Sequence, residues 1–89
     1  MVYEITIKKN VLKKLRRLPA GIGKQFDLLV LVLRQSGPTG PHAWMNYSKL
    51  SDTEYHCHLN RSYVACWRHE KKTITIEVYY AGSREDAPY

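Results

Sequence analysis

In the second half of the chain, three alternating runs follow one another with very little between them: TEYHCHL (53–59), SYVACWR (62–68) and TITIEVYY (73–80). Side chains along a strand point to opposite faces in turn. Such alternation therefore predicts strands with one packed side. The first two runs form a hairpin, and the short polar turn HEKK (69–72) leads into the third. Hairpin register decides which side chains share a face. A two-residue loop at Asn60-Arg61 would set Tyr63, Ala65 and Trp67 beside His56 and His58. A three-residue loop sets Val64, Cys66 and Arg68 there instead. Arg61 suits poorly the positive φ that tight primed turns require, which favours the longer loop. In that register Tyr55, Cys57, Leu59, Tyr63, Ala65 and Trp67 are the packed side. The other side is open, with His56, His58 and Arg68 on it and Arg61 at the loop. In the last strand Ile74, Ile76, Val78 and Tyr80 point inward.

The first half alternates once and then changes period. VYEITIK (2–8) sets Tyr3, Ile5 and Ile7 against Glu4, Thr6 and Lys8, an opening strand. Asn10 offers an N-cap, and Val11, Leu12, Leu15 and Leu18 recur at helical spacing until Pro19 stops the helix. Its outer side carries Lys9, Lys13, Lys14, Arg16 and Arg17, more cation than the helix dipole calls for. AGIGKQFDLLVLVLRQ (20–35) predicts a second helix with Ile22, Phe26, Leu29 and Leu33 on one face. Leu28 and Val32 are surplus to that face. They are buried between the first helix and the sheet, or they are a docking surface for a partner. SGPTGPHAWMN (36–46) is a loop, with Trp44 closing the core edge, and YSKL (47–50) is a short edge strand. The tail AGSREDAPY (81–89) reads as irregular. The predicted class is α+β: β-α-α-β-β-β, two helices on one face of a mostly antiparallel sheet of four to five strands, one domain over residues 1–89.

A chain of 89 residues fits one small domain, and 44% hydrophobic with 25% charged residues argues against disorder. The net charge of +6 points to a polyanion partner, most often nucleic acid, or to a merely solvated surface. Cys57 and Cys66 make neither a disulfide framework nor a zinc spacing and read as small core residues. MVYEITIKK lacks the apolar segment of a secretory signal, and LLVLVL is too short to span a bilayer. The expectation is a cytoplasmic, reduced protein without a membrane partner.

Histidine titrates near neutrality, so a pair on one open face can supply a general base and a general acid. Cleavage of RNA through its own 2′-OH needs a base, an acid for the leaving oxygen and cations for the crowded phosphate. No metal or other cofactor is required where arginine supplies the charge. The plainer readings are polar surface, or a His-x-His zinc site whose third ligand would be Glu54 or His69.

Taken end to end, the chain resembles toxins of the RelE/ParE superfamily of bacterial type II toxin–antitoxin systems. The opening strand, the basic first helix, YSKL before the hairpin, YHCHL, YVACW, the apolar last strand and GSREDAPY occur in that order. The tail is similar to that of RelE-type ribosome-dependent mRNA interferases. The resemblance implies a RelE-like fold and a ribonuclease that cuts mRNA on the ribosome. It implies His56 or His58 as base or acid, Arg84 as phosphate clamp and Tyr89 as proton donor or base-stacking group. Lys49, Arg61 and Arg68 would hold RNA. A cognate antitoxin is implied too, and acidic, amphipathic segments of it would suit Lys13 and Arg17 on the first helix and Leu28 and Val32 on the second. The sequence departs from the family where Val64, rather than arginine, follows Tyr63, and in a tail one residue shorter. Alternatives are a ParE-like, non-enzymatic inhibitor of DNA gyrase and a catalytically silent nucleic-acid-binding domain.

Overall fold

The computed structural model describes residues 2–89. Strand β1 (Glu4–Ile7) leads into helices α1 (Lys9–Leu15) and α2 (Ala20–Ser36). Then come β2 (Ser48–Lys49), β3 (Glu54–His58), β4 (Tyr63–His69) and β5 (Thr75–Ser83), and a 3₁₀ turn at Arg84–Asp86. The five strands lie in the order β1-β5-β4-β3-β2. β1 pairs parallel to β5 and every other neighbour is antiparallel. Both helices pack on one face, the α+β arrangement that the alternation predicts.

Helix α1 begins two residues earlier than an N-cap at Asn10 would set it. The β1–β5 ladder ends with the Lys8 N–H donating to Val78 O (3.1 Å), and the Lys8 carbonyl at once accepts from Val11 and Leu12. Lys8 is therefore the extended N-cap residue, without a side-chain cap, and Asn10 lies inside the helix rather than capping it. Helix α2 turns Ile22, Phe26, Leu29 and Leu33 into the core, the face that the spacing indicates. Leu28 and Leu31 stay 51% and 44% exposed, and Val32 is half-buried. The helix ends at Gly37, whose φ of 83° lies in the left-handed region. A Cβ there would come within 2.8 Å of the Tyr3 ring, so only glycine fits both the turn and the contact.

The hairpin closes with Leu59 and Tyr63 opposite each other, and Asn60, Arg61 and Ser62 form a three-residue loop. The Asn60 side-chain oxygen accepts from the backbone of Ser62 and Tyr63 (2.7 and 2.9 Å), so the loop is held by an Asx turn. The register is the one inferred from Arg61. Tyr55, Cys57, Leu59, Ala65 and Trp67 join Val11, Phe26, Leu29, Leu33, Ile76 and Val78 in one core beneath the helices. At its centre Trp67 stacks on Tyr55 (6.1 Å) and donates its indole N–H to Pro38 O (3.0 Å), so its polar atom is satisfied. Trp44 packs at the rim.

Strand β5 corrects the sequence in three places. Ile74 lies before the strand and is exposed. Trp67 pairs with Val78 but Cys66 pairs with Tyr80, leaving Tyr79 as the extra residue of a β-bulge. The bulge reverses the alternation, so Tyr80 turns away from the helices and joins Val64 and Cys66 in a second, smaller cluster. The strand also runs on to Ser83, so the first part of the tail is sheet, not irregular chain.

Candidate functional site

His56 and His58 stand on β3, on the face away from the helices, with Cys66 and Val64 opposite them on β4. Their rings are 5.8 Å apart. That face is not open. Each histidine is only 8% exposed, because the returning tail and the Met45–Asn46 segment flank them. After Ser83 the 3₁₀ turn reverses the chain. Ala87 packs on the Val64–Cys66–Tyr80 cluster, and the Tyr89 ring comes to 4.4 Å from that of His56. On the other flank the Met45–Asn46 segment borders His58, whose backbone N–H donates to Met45 O (2.8 Å). The alternation showed which face the histidines share, but not that a strand three residues longer would send the tail back over it.

The imidazoles are held differently. His56 Nδ1 lies 3.0 Å from Ser48 Oγ, an interaction set by the pairing of Ser48 with His56 across β2 and β3. Burial lowers the pKa of His56 below its ordinary value, and the neighbouring His58 adds to this, while hydrogen bonding to the Ser48 backbone works the other way. His58 Nε2 lies 3.5 Å from the Asn46 side-chain nitrogen, and its buried Nδ1 has no partner. With Asn46 donating to Nε2, the proton of neutral His58 sits on that unpartnered Nδ1. A buried N–H without an acceptor weakens a fold and is rare. Ser48 and Asn46 were not found from sequence. Ser48 stands in YSKL, but only cross-strand pairing connects it to His56.

The cations separate into groups. Arg84 opens the 3₁₀ turn, exposed, its backbone N–H on Ser62 O (2.9 Å) at the hairpin loop. Burial raises the pKa of the Tyr89 hydroxyl, and the Arg84 charge opposes that rise. Exposed Arg61 stands on the same loop. His56, His58 and Tyr89 thus share this face, and Arg84 and Arg61 stand at the hairpin-loop end of it. Arg68 shares the face but lies two pairs further along, over the Tyr79 ring (4.3 Å) and 3.7 Å from Glu77. Its charge is already matched. It borders a polar groove of about 490 Å³ with Thr6, Thr53 and Glu77. Lys49 is paired with Tyr55 and reaches over its ring (5.9 Å), on the helix side of the sheet, so it does not join the histidines. Both thiols are buried on adjacent strands, facing opposite sides, and burial pushes each up to about 12. Neither serves as a nucleophile. Among the described residues no cluster of three metal-ligating side chains forms.

No family model and no curated protein matches the chain. Solved structures do. The archaeal RelE–RelB complex from Pyrococcus horikoshii OT3 is similar over 98% of this chain and 100% of that one, with TM-score 0.76 and 21% identity. A mutant of E. coli toxin RelE in the free state covers 98% and 88%, with TM-score 0.75 and 19% identity. The YoeB dimer from Staphylococcus aureus covers 94% and 99%, with TM-score 0.72 and 12% identity. From its opening strand to the returning tail, the chain has the fold of the RelE and YoeB toxins.

Proposed function

We propose that the chain is the toxin of a toxin–antitoxin pair and that it inhibits translation by cutting mRNA on the ribosome. One observation carries the chemical reading: two imidazoles of unlike environment stand side by side, one against the Tyr89 ring, where the sheet carries no helix, and Arg84 is bonded to the hairpin loop at the end of that face. His56, biased toward its neutral form and donating Nδ1–H to Ser48, keeps a lone pair on Nε2 and takes the 2′-OH proton. The 2′ oxygen attacks phosphorus, and Arg84, with Arg61 beside it, holds the non-bridging oxygens. The P–O5′ bond breaks, and the leaving oxygen takes a proton from His58 or Tyr89. The products are a 2′,3′-cyclic phosphate and a 5′-hydroxyl end. No metal or organic cofactor enters these steps. Because the tail lies over the histidines, RNA must lift Tyr89 from His56, and the phenol is then placed to stack on a base. Primer extension on mRNA after induced expression tests this. Codon-phased cuts with the wild type, lost in His56→Ala/His58→Ala, are expected. Cuts that persist in the double variant would overturn it.

A cognate antitoxin follows from the toxin reading, as RelB and YefM accompany toxins of this fold. Its amphipathic segment is assigned to the exposed Leu28 and Leu31 with Val32 on α2, and its acidic residues to the exposed Lys13 on α1 and Arg17 just after it. A second reading rests on the 8% exposure of both histidines: a ParE-like, non-enzymatic inhibitor of DNA gyrase would need them only as packing. Growth arrest retained by both His58→Ala and Arg84→Ala would favour it. The chain is assigned to the cytoplasm, and none of its described helices is long and apolar enough to cross a membrane.

A further inference from the structure

The ribonuclease reading leaves α1 unexplained. Lys9, Lys13, Lys14, Arg16 and Arg17 fall within nine residues, with no acid in the first turn of the helix. Among the described residues the only side-chain ion pair is Arg68–Glu77, so none of these five has a carboxylate partner. Within the helix Lys9 and Lys13 stand four apart, and like charges at that spacing weaken a helix. The dipole accounts for Lys13 and Lys14 in the last turn, not for the whole cluster.

Helix α1 lies along β5 with Val11 in the main core. Lys14 reaches round the sheet edge to the other face, where its Nζ sits 5.0 Å from the centre of the Tyr80 ring. Tyr80 is on that face only because of the bulge at Tyr79. It belongs to the cluster on which Ala87 packs, and its hydroxyl bonds to Ser83 O, one residue before Arg84. On this face the buried Tyr80 ring thus separates the cluster under Ala87 from the exposed Lys14, and the tail carries the exposed Tyr89 against His56. A small groove of about 160 Å³ lies between Lys13, Lys14 and Arg17. An ammonium over an aromatic ring keeps its N–H donors free for an anion. Cations alternating with aromatic faces are what a single-stranded nucleic acid recognises, phosphates on the former and bases on the latter.

We infer that Lys14, held over Tyr80, is a phosphate contact that carries single-stranded RNA from the histidine site onto α1. The inference rests on the ribonuclease reading and extends its substrate path. A longer substrate bound across Lys14 gains affinity over one that ends at the histidines.

The test is binding of a 2′-O-methylated single-stranded RNA, which cannot be cleaved, over a range of salt concentrations. It compares the wild type, Lys14→Gln, Lys14→Arg and the double variant Lys14→Gln/Arg17→Gln. Each phosphate contact on a single strand adds about 0.7 to the log–log salt slope. Lys14→Gln is expected to lower the slope by about 0.7, the double variant by about 1.4, and Lys14→Arg not at all, all with unchanged circular dichroism. An unchanged slope in Lys14→Gln overturns the inference and leaves the ribonuclease reading standing. So does an unchanged slope with weakened binding of the antitoxin, which would give the surface to a protein partner. Absence of RNA binding by the wild type at about 50 mM salt would overturn the inference, whereas the ribonuclease reading stands or falls with codon-phased cuts in primer extension.

Discussion

The two faces of the sheet are built from the same strands yet solve different problems. Under the helices, Trp67, Phe26, Leu29, Leu33, Ile76 and Val78 are buried against one another, and the one polar atom at their centre has its acceptor. On the other face, Val64, Cys66 and Tyr80 make a small cluster, two histidines are buried beside it, and one imidazole nitrogen has no partner. The first face is covered by 17- and 7-residue helices, the second by the last few residues of the chain. A cover of that size costs little to remove, because it buries little apolar area and Tyr89 is half exposed. The lesson is a division of labour. Stability is invested where the chain is thickest, and polar groups that cost stability sit where a short segment can uncover them.

The comparison breaks most easily at Trp67. Trp67→Ala is expected to cost about 3–5 kcal/mol in a urea titration, a large share of what a domain of this size has. A cost below about 1 kcal/mol would mean that the helix face is not the main store of stability. Next comes pH. His56 binds its proton less tightly folded than unfolded, its unfolded pKa being near 6.5. Stability is therefore full above about pH 6.5 and falls as pH drops from there toward the folded pKa, by at most about 1.4 kcal/mol per unit for one proton. Unfolding curves from pH 7.5 to 5 should show that fall for the wild type and a flatter profile for His56→Gln. A steeper fall in the variant would refute the burial argument.

Smaller still is the effect of His58→Leu. Replacing an imidazole with an unpaired buried nitrogen should raise stability by about 1 kcal/mol while abolishing growth arrest on induction. Loss of stability together with arrest would show that His58 is packing and not a functional cost. The least effect belongs to Tyr89→Ala. Tyr89 is 54% exposed at the chain end, so less than about 0.5 kcal/mol should be lost. The His56 pKa, followed by NMR of its ring protons, should rise toward the ordinary value as water reaches the ring. No movement of that pKa would place the cover elsewhere.

Period and turn chemistry carried much of the fold. Alternation in β3 and β4, the poor fit of Arg61 to a tight turn and the spacing of Ile22, Phe26, Leu29 and Leu33 all point to the observed packing, because each reports a local constraint. The candidate site was readable only as a list. His56 and His58 were assigned one face correctly, yet expected to be open. Lys49 was grouped with them although it lies across the sheet. Ser48 and Asn46, which hold the imidazoles, carried no signal, because one strand pairing and one loop bring them there. Tyr80 was placed inward because a strand's alternation holds only until a residue is inserted, and TITIEVYY contains no mark of where that happens.

Residue order alone settled what every short segment prefers: period-2 strands, a period-3.6 helix with one apolar face, a three-residue loop, and an excess of positive charge. These follow from side-chain geometry and solvation over a few neighbours. Three-dimensional packing alone settled which long-range neighbours meet: the bulge at Tyr79, the tail over His56 and Lys14 over Tyr80. Such contacts depend on how strands from distant parts of the chain are paired, and the energy that selects among pairings is spread over the whole core rather than encoded at the residues that it brings together.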